Sequence, residues 1–467
     1  MIAVIADDFS GAAEVAGWAV ASGFTATLRR DFAADSDADV VVFDTDSRSL
    51  PVDVAANRLS ILAASLRAQG VHRVFKKIDS VLRGHVAAEA DALRRGLGRV
   101  RALIVPANPR RHRIVRAGHY SIANQPLHET LFAHDTDFPA RTDRVIELLQ
   151  PFSGSTIATS PVECAEWPAA ELICGDACSV EDLAIWSNRL DCDTLPVGAA
   201  EFFAAWLSSQ VVSSDIAPSS FRPHPSSVSE TELQSAALPD SQDRQLGVPE
   251  DDADCRDAAC RDASDGPVSV ASRRPHVPNG VTEQAPRTLL VCGSPAAWFQ
   301  GRAADARARG FTVTRWTLGA MTHGSANDTR LTDDTRVADA IETLAARGRL
   351  LVTCYEDDPV SSNAATTEQL LRALGEFARR ILAPLLAATH PHDGGPLVER
   401  LLVEGGATTA ALIERLGWNR FVALSPVAEG ITPLVPAIST SAGHEASTPR
   451  FTLFSKPGSY AWPADLW

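Results

Sequence analysis

The feature that most constrains this chain is a unit that occurs three times near its start: a short apolar run, a polar turn, then a helix-forming stretch. Ile2–Ala6 runs into Asp7-Asp8-Phe9-Ser10-Gly11, and residues 40–43 run into Asp44-Thr45-Asp46-Ser47-Arg48-Ser49. Residues 71–75 run into Lys76-Lys77-Ile78-Asp79-Ser80-Val81-Leu82-Arg83-Gly84-His85, ahead of a helical pattern over 86–97. Short continuous apolar runs mark parallel strands buried on both faces. Repeating the unit with polar residues always at the same end specifies an α/β protein, a doubly wound sheet with one functional edge. Ligands gather there, because the helix after each strand offers free backbone N–H groups.

The third unit carries a second signal. Of 43 Lys and Arg residues, lysine stands only at Lys76, Lys77 and Lys456. Where arginine has replaced lysine almost everywhere, a surviving lysine marks a place that needs a compact ammonium rather than a planar fork. Two are adjacent in the third turn, and the last lies near the C-terminus, so chemistry is expected at both ends of the chain. A solvated turn with incidental charges is the plain alternative.

At 467 residues, with 45% hydrophobic and 22% charged residues, the chain has material for two or more globular domains. A formal charge of −15 argues against a nucleic-acid or anionic-membrane partner, while leaving room for a local anion pocket. The eight cysteines form no CxxC pair, so a metal site among Cys164, Cys174, Cys178 and Cys192 is disfavoured. Met1 leads straight into an apolar strand, and no apolar run is long enough to span a bilayer; a cytoplasmic protein is the expectation.

Further along, residues 103–105 form a strand ending at Pro106, followed by the basic run Arg110, Arg111, His112, Arg113 and Arg116. That run suits an anion site, a subunit contact or a solvated loop. A helix is predicted over 142–149. Residues 208–287 are rich in Ser, Pro, Asp, Ala and Gln without apolar periodicity, and read as a low-complexity linker. Strands resume at Thr288–Cys292 and Arg349–Thr353, with a long helix over 367–386. Leu401-Leu402-Val403-Glu404 then runs into Gly405-Gly406-Ala407-Thr408 and a helix over 410–416. Adjacent glycines at a strand-to-helix turn let backbone N–H groups approach a phosphate, though a tight turn explains the pair equally well. The expected architecture is two doubly wound α/β domains with mainly parallel sheets, 1–207 and 288–467, joined by the linker.

Taken together, these stretches resemble the four-carbon acid sugar kinase family. Ala6-Asp7-Asp8-Phe9-Ser10-Gly11-Ala12 is similar to its ADDFTGA signature, and Lys76 to Gly84 to KKIDSTLRG, with valine for threonine. Pro106-Ala107-Asn108-Pro109, Arg113 and Gly118 resemble its PAFP…GR…G stretch, and Pro126-Leu127-His128-Glu129-Thr130 its PLHET. Gly405-Gly406-Ala407-Thr408 is similar to its GGET or GGDT turn and Lys456-Pro457-Gly458 to its terminal KxG. The chain departs from the pattern at His112, where glycine is usual, in a shortened turn at Ser294-Pro295, and in its long linker.

The resemblance implies an ATP-dependent kinase acting on the terminal hydroxyl of a four-carbon acid such as threonate, erythronate or 3-oxo-tetronate. The N-terminal domain would hold the acid and the C-terminal domain ATP. It implies catalytic roles for Asp8, Lys77, Asp79 and Arg83, with Asp8 or Asp79 as base, and acid binding by Asp7, Ser10, Arg48, Ser80, Gly84, Arg113, His128 and Glu129. Nucleotide binding falls to Ser294, Gly405, Gly406, Ala407, Thr408, Lys456 and Gly458. Mg²⁺ is expected from the chemistry of phosphoryl transfer, not from a ligand motif. The expected partner is a small-molecule acid sugar, with a homodimer left open. A catalytically weak metabolite-binding relative is one alternative. A dinucleotide oxidoreductase is another, opposed by two aspartates standing where a GxGxxG turn would be.

Overall fold

The computed structural model describes residues 1–32, 37–135, 137–149, 154–212, 285–293, 301–315, 333–353, 367–437, 451–456, 462–464 and 466–467. The N-terminal strands are β1 (Ile2–Ala6), β2 (Ala26–Arg29), β3 (Val40–Asp44), β4 (Val74–Lys77), β5 (Arg101–Val105), β6 (Arg113–Arg116) and β7 (His119–Ile122). They continue with β8 (Gln125–Pro126), β9 (Ile157–Ser160), β10 (Leu172–Gly175) and β11 (Thr194–Gly198). The C-terminal strands are β12 (Thr288–Cys292), β13 (Thr312–Arg315), β14 (Arg349–Thr353), β15 (Arg400–Glu404), β16 (Arg420–Ala423), β17 (Pro433–Pro436) and β18 (Thr452–Lys456). Among the α-helices are α1 (Phe9–Ala21), α2 (Val52–Ala68), α3 (Val86–Leu97), α4 (Val145–Leu149), α5 (Val180–Asn188) and α6 (Ala200–Val212). After them come α7 (Ala303–Ala308), α8 (Asp333–Arg347), α9 (Thr367–Phe377), α10 (Ala383–Ala387) and α11 (Gly406–Leu416).

The three N-terminal units fold as α/β repeats. β1 lies between β3 and β4, parallel to both, with Ala6 in register with Asp44 and with Lys77. The polar turns therefore leave the sheet side by side. Every residue of these three strands is buried, and all are apolar except Asp44, Lys76 and Lys77 at the strand ends. Lys76 and Lys77 are the last two residues of β4, not part of the turn.

Apart from β6, β7 and β8, which form a separate antiparallel sheet, the N-terminal and C-terminal strands share one 15-stranded sheet, in the order β13-β14-β12-β15-β18-β17-β16-β2-β3-β1-β4-β11-β5-β10-β9. Both blocks are mostly parallel, and they meet where β16 pairs antiparallel with β2, Phe421 opposite Leu28. Without β16, β2 would present an unpaired edge. The core follows the sheet across this join: Phe9 of α1 meets Phe421 edge-on at 5.3 Å, in a cluster that also takes in Leu289, Leu401 and Leu434. Gly17 of α1 lies so close to Thr432 that a Cβ there would collide with it.

Several boundaries differ from the sequence reading. α11 begins at Gly406, not at residue 410. The stretch 367–386 is not one regular helix: a π turn, Ala378–Leu382, separates α9 from α10, where Pro384 lacks the N–H that would continue the ladder. α4 begins at Val145 because Thr142 Oγ1 accepts the Arg144 N–H in a local turn. α6 runs to Val212, past the start proposed for the linker. No described helix is long and apolar enough to cross a membrane.

Candidate active site

The turn after β1 is built by Asp8, which caps α1 by accepting the Gly11 N–H at 2.9 Å. Ser10 lies inside the helix. Its Oγ is buried and makes no hydrogen bond among the described residues. Arg48, from the turn after β3, spans both aspartates: Nε donates to Asp7 Oδ2 at 2.7 Å, and Nη2 lies 3.0 Å from Asp8 Oδ1. The two carboxylates respond in opposite senses. Burial alone would raise Asp7, but Arg48, with Lys76 and Lys77 behind it, holds it below the usual carboxylate range. Burial, reinforced by the charge of Asp7, lifts Asp8 above that range despite Arg48 and Lys77.

The adjacent lysines point to opposite faces of β4, as neighbours on a strand must. Lys76 is fully buried, its ammonium 2.8 Å from Glu89 of α3. Glu89 also accepts the Ser47 hydroxyl at 2.6 Å, so this pair ties down the loop that carries Arg48. Lys77 lies on the α1 side: its Nζ donates to Ile78 O at 3.1 Å and stands 3.4 Å from Glu14. A Cβ on Gly11 would come within 3.2 Å of that ammonium. Lys77 thus sits under the Asp8 turn.

The turn after β4 is organised by Asp79. It takes Arg83 through two hydrogen bonds, 3.0 Å from Nε and 2.9 Å from Nη2. Arg83, followed by Arg48, overcomes the effect of burial and holds Asp79 well below the ordinary range, which leaves it a poor proton acceptor. Leu82 has a left-handed backbone (φ 63) and Gly84 another (φ 90), with Gly84 packed on Arg48. Leu82 is a strained residue, of the kind that collects at functional turns. Arg113 donates to Ser80 Oγ and its guanidinium lies over the Phe132 ring.

The double-glycine turn follows β15. Gly405 has φ 107, a backbone that other residues avoid, and its N–H is fixed on Lys456 O at 3.1 Å. Gly406 then opens α11 directly against the first site: a Cβ there would lie 2.8 Å from Ser10 Oγ and 3.9 Å from Asp8 Oδ2. The N-termini of α1 and α11 therefore meet. Behind them, buried Glu404 takes Arg302 at 2.8 and 2.7 Å and Lys456 at 3.0 Å. Thr408 is buried, in close contact with Gly293.

A cavity of about 800 Å³ opens over this meeting point, within the range of ligand sites. Of the residues singled out in the sequence, it is lined by Asp8, Ser10, Arg48, Arg83, Gly406 and Ala407. Asp7, Lys77, Asp79, Gly84 and Gly405 stand behind that lining, and Ser80, Arg113, Thr408 and Lys456 are likewise not part of it. His128 and Glu129 are not part of it either, His128 lying 3.8 Å from Asp143. Ser294 and Gly458 fall outside the described residues. The cavity also recruits residues that the sequence reading passed over: Asp46, Asp135, Asp137 and Phe138, with Arg372 and Glu376 of α9 and Ala410, Ala411 and Glu414 of α11. Ala407, Ala410, Ala411 and Glu414 recur at helical spacing, a signal available once α11 is known to start at Gly406.

Comparison with known proteins bears on this geometry. Residues 2–193 match the family model of a sugar-binding N-terminal domain. The chain is 33% identical over 149 residues to the D-threonate kinase of Salmonella typhimurium, covering 31% of this chain and 35% of that one. It is 31% identical over 161 residues to the 3-oxo-tetronate kinase of Methylobacterium radiotolerans, covering 33% of this chain and 38% of that one. Over its N-terminal third this chain is similar to four-carbon acid sugar kinases. The match spans little more than a third of the length of these curated relatives. The fold extends further: a crystal structure of a Salmonella typhimurium LT2 protein superposes with a TM-score of 0.64 at 17% identity, over 98% of this chain and 96% of that one.

Proposed function

We propose that this chain is an ATP-dependent kinase that phosphorylates a hydroxyl of a four-carbon acid, in the cavity where α1 and α11 meet. The observation that carries this reading is the contact of Gly406 with Ser10 and Asp8. It puts a glycine-opened helix N-terminus, suited to phosphate, beside a carboxylate of raised proton affinity. In this reading residues 1–207 hold the acid, residues 288–467 hold ATP, and 208–287 join them.

Asp8 is the residue to accept the proton of the attacking hydroxyl, since it lines the cavity and its affinity for a proton is raised. Asp79, committed to Arg83, is not. Arg48 and Arg83 face the cavity and balance the negative charge of acid and phosphate. Lys77 and Lys76 hold the turns that carry Asp8 and Arg48. On the ATP side, the N–H groups that open α11 receive phosphate oxygens, and the Glu404–Lys456 pair fixes the strand end from which they start. Mg²⁺ would neutralise phosphate charge. Cavity-lining Asp46 and Asp137 offer the hard oxygen ligands it takes, one or two carboxylates alongside phosphates being its usual protein share. Among the described residues, no group of three or more His, Cys, Asp or Glu is disposed to hold a metal unaided.

The test is incubation of the purified protein with ATP and Mg²⁺ against D-threonate, D-erythronate and 3-oxo-tetronate, with the products weighed by mass spectrometry. Gain of one phosphate by one of these acids supports the reading. Stabilisation against heat by NAD(P) but not by ATP would replace it with the oxidoreductase. Light scattering of the same sample tests for a homodimer.

A further inference from the structure

Arg83 lines the cavity, and its guanidinium is already gripped by two carboxylates. Asp79 takes its Nε and Nη2 from behind. The remaining Nη1 donates to Asp135 Oδ2 at 3.1 Å, on the cavity side, where Asp135, Asp137 and Phe138 all line the wall. Asp79 alone neutralises the guanidinium, so the second carboxylate leaves these three groups with a net negative charge, which repels an anionic ligand. Asp135 is otherwise provided for: its Oδ1 accepts the Asp137 and Phe138 N–H groups at 3.1 and 2.9 Å, a turn that does not need Arg83. Its side chain is 20% exposed and can leave the guanidinium without unfolding a core.

Resting on the kinase reading above, we infer that Asp135 occupies on Arg83 Nη1 the position that the carboxylate of the acid substrate takes. Asp135 is thus an internal competitor: the acid binds by displacing it, and Asp137 and Phe138, whose N–H groups Asp135 Oδ1 accepts, lose their link to Arg83 at the same moment. The contact between Phe138 and His85, 6.1 Å between ring centres, is the second tie of that segment to the same turn. Asp135 sets the affinity for the acid and takes no part in transfer.

Asp135→Asn tests this, because the amide oxygen keeps the turn while the charge toward Arg83 is lost. Asp135→Ser, which also caps such a turn, guards against a folding failure of the first variant. Calorimetric titration with D-threonate and D-erythronate should show each variant binding the preferred acid roughly three- to tenfold more tightly than wild type. KM for the acid should fall with it, and KM for ATP should stay within about twofold. Unchanged or weaker acid binding in folded variants, with wild type binding normally, would overturn the inference and leave the kinase reading intact. Failure of the wild-type protein itself to bind any four-carbon acid would overturn both.

Discussion

At the residue scale, the two adjacent lysines have different work, and the same conservative swap should separate them. Lys76→Arg forces a larger group into a fully buried site against Glu89, and should cost about 1–3 kcal/mol of stability in denaturant titrations. Lys77→Arg displaces the ammonium under Asp8, and should lower kcat at least about tenfold in a coupled ADP-release assay. Both are buried, so neither is a surface change. Normal turnover in both variants would show that the surviving lysines do not mark the site. Asp44 supplies a pH-dependent test. Burial, with the charge of Asp46 added, pushes it up to about 8 even though Arg30 Nε lies 3.1 Å away. In the unfolded chain it ionises near about 3.9. Between those values the folded state holds a proton that the unfolded state has lost, so stability falls as pH rises from about 4 to about 8 and then levels. Asp44→Asn should remove that slope, gaining melting temperature over wild type at pH 9 relative to pH 5. An equal difference at both pH values would contradict the buried neutral carboxyl.

At the element scale, the α1–α11 junction depends on there being no side chain at Gly406. Gly406→Val drives a branched side chain into Ser10 Oγ and should raise KM for ATP strongly or abolish turnover, while calorimetric binding of the acid persists. Equal loss of both ligands would indicate a folding defect. The periodic strand–turn–helix units at the start were readable because each depends on local pattern alone: apolar runs, then polar turns. What escaped reading depends on tertiary contact. Two glycines are poor helix formers, so the sequence placed the start of α11 four residues late; its true start is set by close approach to Ser10. Asp135 and Phe138 come from a loop with no pattern of its own and line the cavity because Asp135 reaches Arg83. Arg372 and Glu376 of α9 lie on a stretch that reads simply as helix, and nothing local marks the face turned to the cavity.

At the scale of the whole molecule, sequence distinguishes two blocks, yet the described residues form one compact unit with a continuous sheet. A block boundary is written in composition, whereas the pairing of β16 with β2 involves strands 391 residues apart in chain position at Arg29 and Arg420 and leaves no local trace. The shared core around Phe9 and Phe421, with the ion pair of Arg111 and Glu429 at 2.7 Å, fixes the N-terminus of α1 opposite that of α11. The central claim is that this junction is where the hydroxyl loses its proton to Asp8 as it takes the phosphate. Asp8→Asn tests it most directly, with kcat measured at saturating ATP and acid alongside the dissociation constant of each ligand. The account predicts a fall in kcat of about 10²–10⁴-fold with both dissociation constants within about threefold of wild type, and a wild-type acid limb above the usual carboxylate range. Turnover by Asp8→Asn at the wild-type rate would contradict it.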